Sequence, residues 1–237
     1  APCPCDRFPR MRGLQAADVR AFPVPRAPCP VPRAPPMLHA LTRMLDRRRL
    51  RDARFAPLFE RYRGTEVVSL DLETTSLDPS SAEVLSIAAV PVDAHGVRLS
   101  QRFVRLLRSA REFGIESIRV HRILPGESAA GGSLDEAIDA LLLWLGNRPL
   151  LGYNLAFDAA ILDRLVRARH GFRLPNPRIE LAGRYLRTLP VREGHAEPDL
   201  RLETIAAAVG VPLMGRHTAL GDAVSVGLVY AALQARA

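Results

Sequence analysis

The chain contains no lysine: all 33 of its basic residues are arginine. Alongside abundant alanine and 20 prolines, this suggests a GC-rich coding sequence. Arginine content by itself therefore does not mark a nucleic-acid binder. Cysteine is scarce. Cys3, Cys5 and Cys29 are the only three, which leaves everything after residue 29 without a disulfide and fits a reducing, cytoplasmic compartment. Aromatic residues make up only 5%, which argues against a stacking platform for long single strands. No apolar run approaches the ~18 residues of a membrane-spanning helix. The block Ala140 to Leu145, for example, is bracketed by Asp139 and Gly146.

What remains is an ordinary globular mix. Of 237 residues, 48% are hydrophobic and 24% charged, which suits one α/β domain with an extension. The formal charge of +8 is unevenly spread: residues 1–63 hold 14 Arg against 5 acids, and residues 64–237 hold 19 against 20. Residues 1–36 carry 10 of the 20 prolines and read as an unstructured leader. Cys3, Cys5, Cys29 and His39 have the residue types for zinc, but the Cys-x-Cys spacing and proline-locked backbone argue against such a site. Residues 37–63 form an Arg-rich extension. From Leu38 to Leu50 the pattern is helical, with Leu38, Leu41 and Leu45 on one face and Arg43, Arg47, Arg48 and Arg49 around the rest. A helix docked on the domain with a solvated Arg face is expected, and a dedicated phosphate-binding helix is the alternative.

The main domain begins near residue 64. Val67 to Glu73, Glu83 to Val92 and Val97 to Leu107 read as strands, the last two joined by a turn at Asp93 to Gly96. Ser133 with Glu136 forms a capping box that opens a helix to Leu145. Pro149 to Tyr153 is a short strand, followed by a helix from Leu155 to His170 that stops at Gly171. Helices over Leu202 to Val209 and Ala219 to Ala235 complete the chain. Strands first, then strand–helix alternation, predict an α/β fold: a mixed β-sheet flanked by α-helices.

Three segments carry chemistry. Asp71-Leu72-Glu73 ends the first strand, where residues two apart share a face, so two carboxylates are presented together. Paired buried carboxylates repel, and a hard cation such as Mg²⁺ is the usual remedy. Asn154 reads as the N-cap of the Leu155 helix, which places Asp158 about one turn in. His217 and Asp222, five apart, face one site only if His217 precedes the helix in the Gly215-Arg216 turn and Asp222 lies inside it. Each segment alone has a bland explanation in strand, cap or surface chemistry. Together they form an ordered set, with Asp71 and Asp158 87 residues apart and Asp158 and Asp222 64 apart.

Read in order, the motifs are Asp-x-Glu-Thr-Thr-x-Leu-x-Pro, Tyr-Asn-x-x-Phe-Asp and His-x-x-x-x-Asp. The set resembles the DEDDh, or DnaQ-like, 3'→5' exonucleases, which include the proofreading subunit of bacterial DNA polymerase III, ribonuclease T and oligoribonuclease. Val120-His121-Arg122-Ile123 and Leu202 to Pro212 are similar to further signatures of that family, and Ser76 stands where it usually has Gly. The resemblance implies a ribonuclease-H-like fold with a five-stranded mixed sheet. It implies Asp71, Glu73, Asp158 and Asp222 as ligands of two divalent cations, Mg²⁺ or Mn²⁺, and His217 as general base. Thr74, Leu77 and Asn154 match positions near the 3'-terminal nucleotide, and Phe157 is either a stacking residue or a helix-core aromatic.

The function implied is metal-dependent 3'→5' hydrolysis of single-stranded DNA ends, proofreading or repair-like. The nearest alternative is an RNA or oligoribonucleotide exonuclease, since no residue clearly reads the 2'-hydroxyl. A non-catalytic nucleic-acid-binding or polymerase-associated subunit is the alternative of another class, with a DNA polymerase or other replication and repair protein as partner. Two bound cations would turn the domain's charge from −1 to +3, attractive to phosphate only once loaded.

Overall fold

In the computed structural model the described residues are 36–109, 123–190 and 198–236. The leader, His121 and the side chains of Cys3, Cys5, Cys29 and His39 lie outside them. Strands β1 (Val67–Thr74), β2 (Val84–Asp93), β3 (Gly96–Val97), β4 (Phe103–Leu106), β5 (Leu150–Gly152) and β6 (Arg178–Glu180) form one mixed sheet. Its order is β3-β2-β1-β5-β6, with β4 also on β2. β1 runs antiparallel to β2 and parallel to β5, and β5 runs parallel to β6. The expected strand Val97 to Leu107 is broken by a 3₁₀ turn at Leu99–Gln101, so β3 and β4 pair with the two ends of β2. Six segments thus occupy five strand positions.

The helices are α1 (Pro36–Arg48), α2 (Pro125–Ala129), α3 (Leu134–Leu145), α4 (Leu155–His170), α5 (Leu181–Leu186), α6 (Leu202–Val209) and α7 (Ala219–Ala235). β1 explains how they divide. Val68, Leu70 and Leu72 face a core completed by Ile138, Leu141 and Leu145 of α3 and Ile161 and Leu162 of α4. Val67 faces a second core, built with Leu202 and Ile205 of α6 and Val226 and Val229 of α7. Alternation places Ser69, Asp71 and Glu73 on the same side as Val67. The hydroxyl of buried Ser69 donates to the Ala223 carbonyl at 2.7 Å, and an added Cβ at Gly227 would come within 2.9 Å of Val92 and Val97 side-chain carbons. α7 is therefore held close against β1, which carries the acidic pair, and against β2 and β3 beside it.

The N-terminal helix docks on the domain, though not through Leu41 and Leu45; the side chain of Leu38 lies outside the described residues. Leu41 and Leu45 are exposed at 49% and 40%, and Met44 beside them is exposed as well. The helix docks through polar groups instead. Arg43 turns inward and donates to the carbonyls of Pro175 (2.6 Å), Glu60 (3.1 Å) and Leu58 (3.4 Å). Buried Asp46 pairs with Arg173. The Leu58 and Glu60 carbonyls lie at the end of a 3₁₀ helix (Ala53–Phe59) and that of Pro175 in a loop, so they need donors from outside, which a leucine face does not supply. Arg47, Arg48 and Arg49 stay on the exposed side.

Candidate active site

β1 ends at an irregularity between Glu73 and Thr74, and its last carboxylates meet the first turn of α7. Oxygen atoms of Asp71, Glu73 and Asp222 all lie within 4.8 Å of one another. Asp158 enters from the first turn of α4 and is buried, with 5% of its surface exposed. Burial, then the charges of Asp158, Glu73 and Asp222, push the Asp71 carboxyl well above its ordinary range. Burial and Asp222 raise Glu73 to about 7. Burial raises Asp158 well above its ordinary range, with Glu73 adding to it.

The turn before α7 is built for close approach. Thr218 is the N-cap: its hydroxyl donates to the Gly215 carbonyl at 2.7 Å and accepts from the Gly221 N–H at 3.1 Å. A Cβ on Gly221 would fall 2.1 Å from the Gly215 carbonyl oxygen, so only glycine fits there. His217 precedes the helix, as the spacing requires, and its N–H donates to Asp222 Oδ2 at 3.1 Å. Its imidazole is exposed.

Asn154 occupies the N-cap position of α4, but its side chain makes no capping bond. Glu180, at the end of β6, accepts instead from the N–H groups of Asn154 (2.9 Å) and Leu155 (2.8 Å). Asn154 and His217 are the two non-glycine residues with positive φ among the described residues, at 58° and 63°. Both flank the carboxylate cluster, which fits the tendency of unusual backbone conformations to gather at functional sites.

Thr74 ends β1, and Leu77 sits in the loop that follows. The Thr74 hydroxyl donates to the Ser76 carbonyl at 3.0 Å, and Leu77 is 87% exposed. Arg164 of α4 pins this loop through the carbonyls of Pro79 (3.0 Å) and Ala82 (2.5 Å). Phe157 is half-buried against the larger core.

Three charged neighbours were not anticipated from the sequence. Arg216 pairs with Asp222 Oδ1 through one terminal nitrogen and with Glu203 Oε1 at 2.7 Å through the other. Glu180 is the third, held at the N-terminus of α4. A cation beside the His217 motif was a legible signal for Arg216. The three-residue strand that carries Glu180 has no periodicity to read.

Residues 68–230 match the ribonuclease T family model, described as exonuclease. The chain belongs to this exonuclease family, of the DnaQ-like 3'→5' type. The chain is 25% identical over 156 residues to a PolC-type DNA polymerase III from Thermotoga maritima, but that stretch is 11% of the relative's length. It also resembles Escherichia coli exonuclease I, solved in complex with a dA16 oligonucleotide, with a TM-score of 0.59 at 21% identity. That match covers 73% of this chain and 41% of the other. Cell-death related nuclease 4 gives 0.59 at 15% identity, with 72% and 64% covered. Likeness at this level establishes the ribonuclease-H-like fold. The acidic cluster is compatible with divalent cations. Among the described residues no helix is long and apolar enough to cross a membrane.

Proposed function

We propose that this exonuclease releases nucleotides from the 3' end of DNA by divalent-metal-dependent hydrolysis of the DEDDh type. The observation that carries the reading is the convergence of Asp71, Glu73 and Asp222 within 4.8 Å, with buried Asp158 alongside. Like charges so placed raise one another's pKa, which is unfavourable unless protons or cations intervene. All-oxygen donors suit Mg²⁺ or Mn²⁺, so the cluster fits the ions it is proposed to hold. Two divalent cations on these four carboxylates would neutralise charge that develops on the phosphoryl oxygens and lower the pKa of the attacking water.

The chain's own residues supply the rest. His217 takes the proton of the attacking water as general base. Its exposed imidazole, one residue before the α7 cap, leaves room for substrate beside it. Exposed Leu77, Thr74 and Asn154 grip the terminal nucleotide, with Phe157 behind them. DNA is favoured because a structural neighbour was solved with a DNA oligonucleotide. Similarity to a small part of PolC-type polymerases supports a polymerase or another replication or repair protein as partner.

The test is side-by-side digestion of 5'-labelled single-stranded DNA, duplex DNA and short RNA with Mg²⁺ or Mn²⁺. A ladder shortening from the 3' end of DNA, stopped by EDTA, is expected. Faster digestion of RNA would move the substrate to oligoribonucleotides, and no release from any substrate would end the enzymatic reading.

A further inference from the structure

Arg216 sits where the carboxylate cluster opens. One terminal nitrogen meets Asp222 Oδ1 and the other Glu203 Oε1 at 2.7 Å, and the arginine side chain is 30% exposed. Asp222 is thus shared between the acidic cluster with Asp71 and Glu73 and this guanidinium. The planar fork of arginine suits it to span two carboxylates, one in the site and one on α6 at its rim.

We infer that Arg216 is a built-in counter-cation, which occupies Asp222 in the metal-free enzyme and must yield it when the metal enters. The inference rests on the proposed assignment of Asp222 as a metal ligand. Glu203 makes the exchange reversible. It lies outside the cluster, 57% exposed, and keeps one edge of the guanidinium moored after Asp222 is released. The metal-free site is thereby less repulsive, at the expense of metal affinity. Protons do not reverse the sign of that effect. A fixed positive charge repels a divalent ion about twice as strongly as a proton at the same place. Removing it therefore favours the metal over the protons that compete for the same carboxylates.

The test is calorimetric Mn²⁺ titration of the full chain, together with melting of the metal-free protein, for wild type, R216Q and R216K. R216Q is expected to bind Mn²⁺ about tenfold more tightly, since a charge-assisted bond no longer competes. It should also melt about 3 °C or more lower without metal, because Asp222 loses its partner. R216K keeps the charge but not the fork, and its Mn²⁺ affinity should fall between the two. R216Q that folds and binds Mn²⁺ no more tightly than wild type overturns the inference. If R216Q does not fold, equal affinities of R216K and wild type overturn it. Wild-type protein that binds no Mn²⁺ at all would instead defeat the metal-dependent function on which the inference stands.

Discussion

Two charge clusters in this molecule are built on opposite plans. Asp139 on α3 is surrounded by partners. Arg169 reaches it through Nε at 2.7 Å and Nη2 at 2.9 Å, His170 Nε2 lies 2.8 Å away, and Arg54 is at 3.8 Å. Its carboxyl is accordingly lowered to about 2, by Arg169 first and His170 next. At the end of β1 the balance is reversed: Asp71, Glu73 and Asp222 share the nearby charge of Arg216, and Glu73 is raised to about 7. The first arrangement is complete in itself and fastens α3 to α4. The second is unfavourable as it stands, and evolution tolerates such a conflict where function requires it.

The sharpest way to break the comparison is to remove one acid from the second cluster. D71N or D158N should lower the hydrolysis rate by about 10³-fold or more, since each removes a proposed ligand from a centre that acts as a unit. The same substitutions should raise the melting temperature of the metal-free protein, because a like charge has gone. Either variant with a near-wild-type rate at saturating Mn²⁺ would show that the cluster is not the reaction centre. H217A should cost about 10²–10⁴-fold in kcat, the usual worth of a positioned base, with little change in Mn²⁺ affinity. A defect rescued by excess Mn²⁺ would make His217 a ligand instead.

How far the sequence reveals this contrast depends on the kind of interaction. Ordered motifs with long apolar helices between them were readable: α4, α6 and α7 have the bounds expected from periodicity, glycine stops and caps. The order of Asp71, Glu73, Asp158, His217 and Asp222 was readable too, and the fold brings three of those acids together at one end of β1. Features set by tertiary contact were not. α1 looked like a helix that buries leucines, yet its docking is decided by carbonyls 15 to 132 residues away that Arg43 satisfies. Asn154 had the composition of a cap, while a carboxylate 26 residues later performs the capping. Arg216 and Glu203 stand 13 apart in sequence on different elements, so nothing local announces their pairing.

Acidity separates the clusters by sign. Glu73 has a folded-state pKa of about 7, above the ordinary 4.5, so its ionisation disfavours the folded state. Its contribution is fully present below the unfolded value and is lost as pH rises through about 7, on the order of 3 kcal/mol in all. Asp71 and Asp158 shift in the same direction. Metal-free protein should therefore melt progressively lower from pH 5 to 8, and E73Q should show a flatter profile. Saturating Mn²⁺ should restore most of the loss at pH 8. Identical pH profiles for E73Q and wild type would show that Glu73 is not the strained group.

The smallest effect is expected at the satisfied cluster, and it tests whether the two are independent. D139N keeps the shape of the side chain but removes the charge that Arg169 and His170 share. Arg169 retains Asp135 at 2.7 Å and Arg54 retains Asp52 at 2.7 Å, so neither arginine is stranded. After discounting for solvent screening, the loss should be about 1 kcal/mol, or roughly 2–4 °C in melting temperature. The sign with pH is opposite to that of Glu73. A lowered carboxyl contributes stability above its unfolded value of 3.8, and that contribution is lost as pH falls towards about 2. The gap between D139N and wild type should narrow below pH 4. Hydrolysis rate and Mn²⁺ affinity should be unchanged, because Asp139 ties α3 to the C-terminal end of α4 while Asp158, a proposed ligand, lies at the other end of that helix. Melting scans and Mn²⁺ titrations of both proteins decide the matter. Weaker Mn²⁺ binding in D139N would mean that the fastening cluster sets the geometry of the reactive one through α4, and the two could no longer be treated as separate designs.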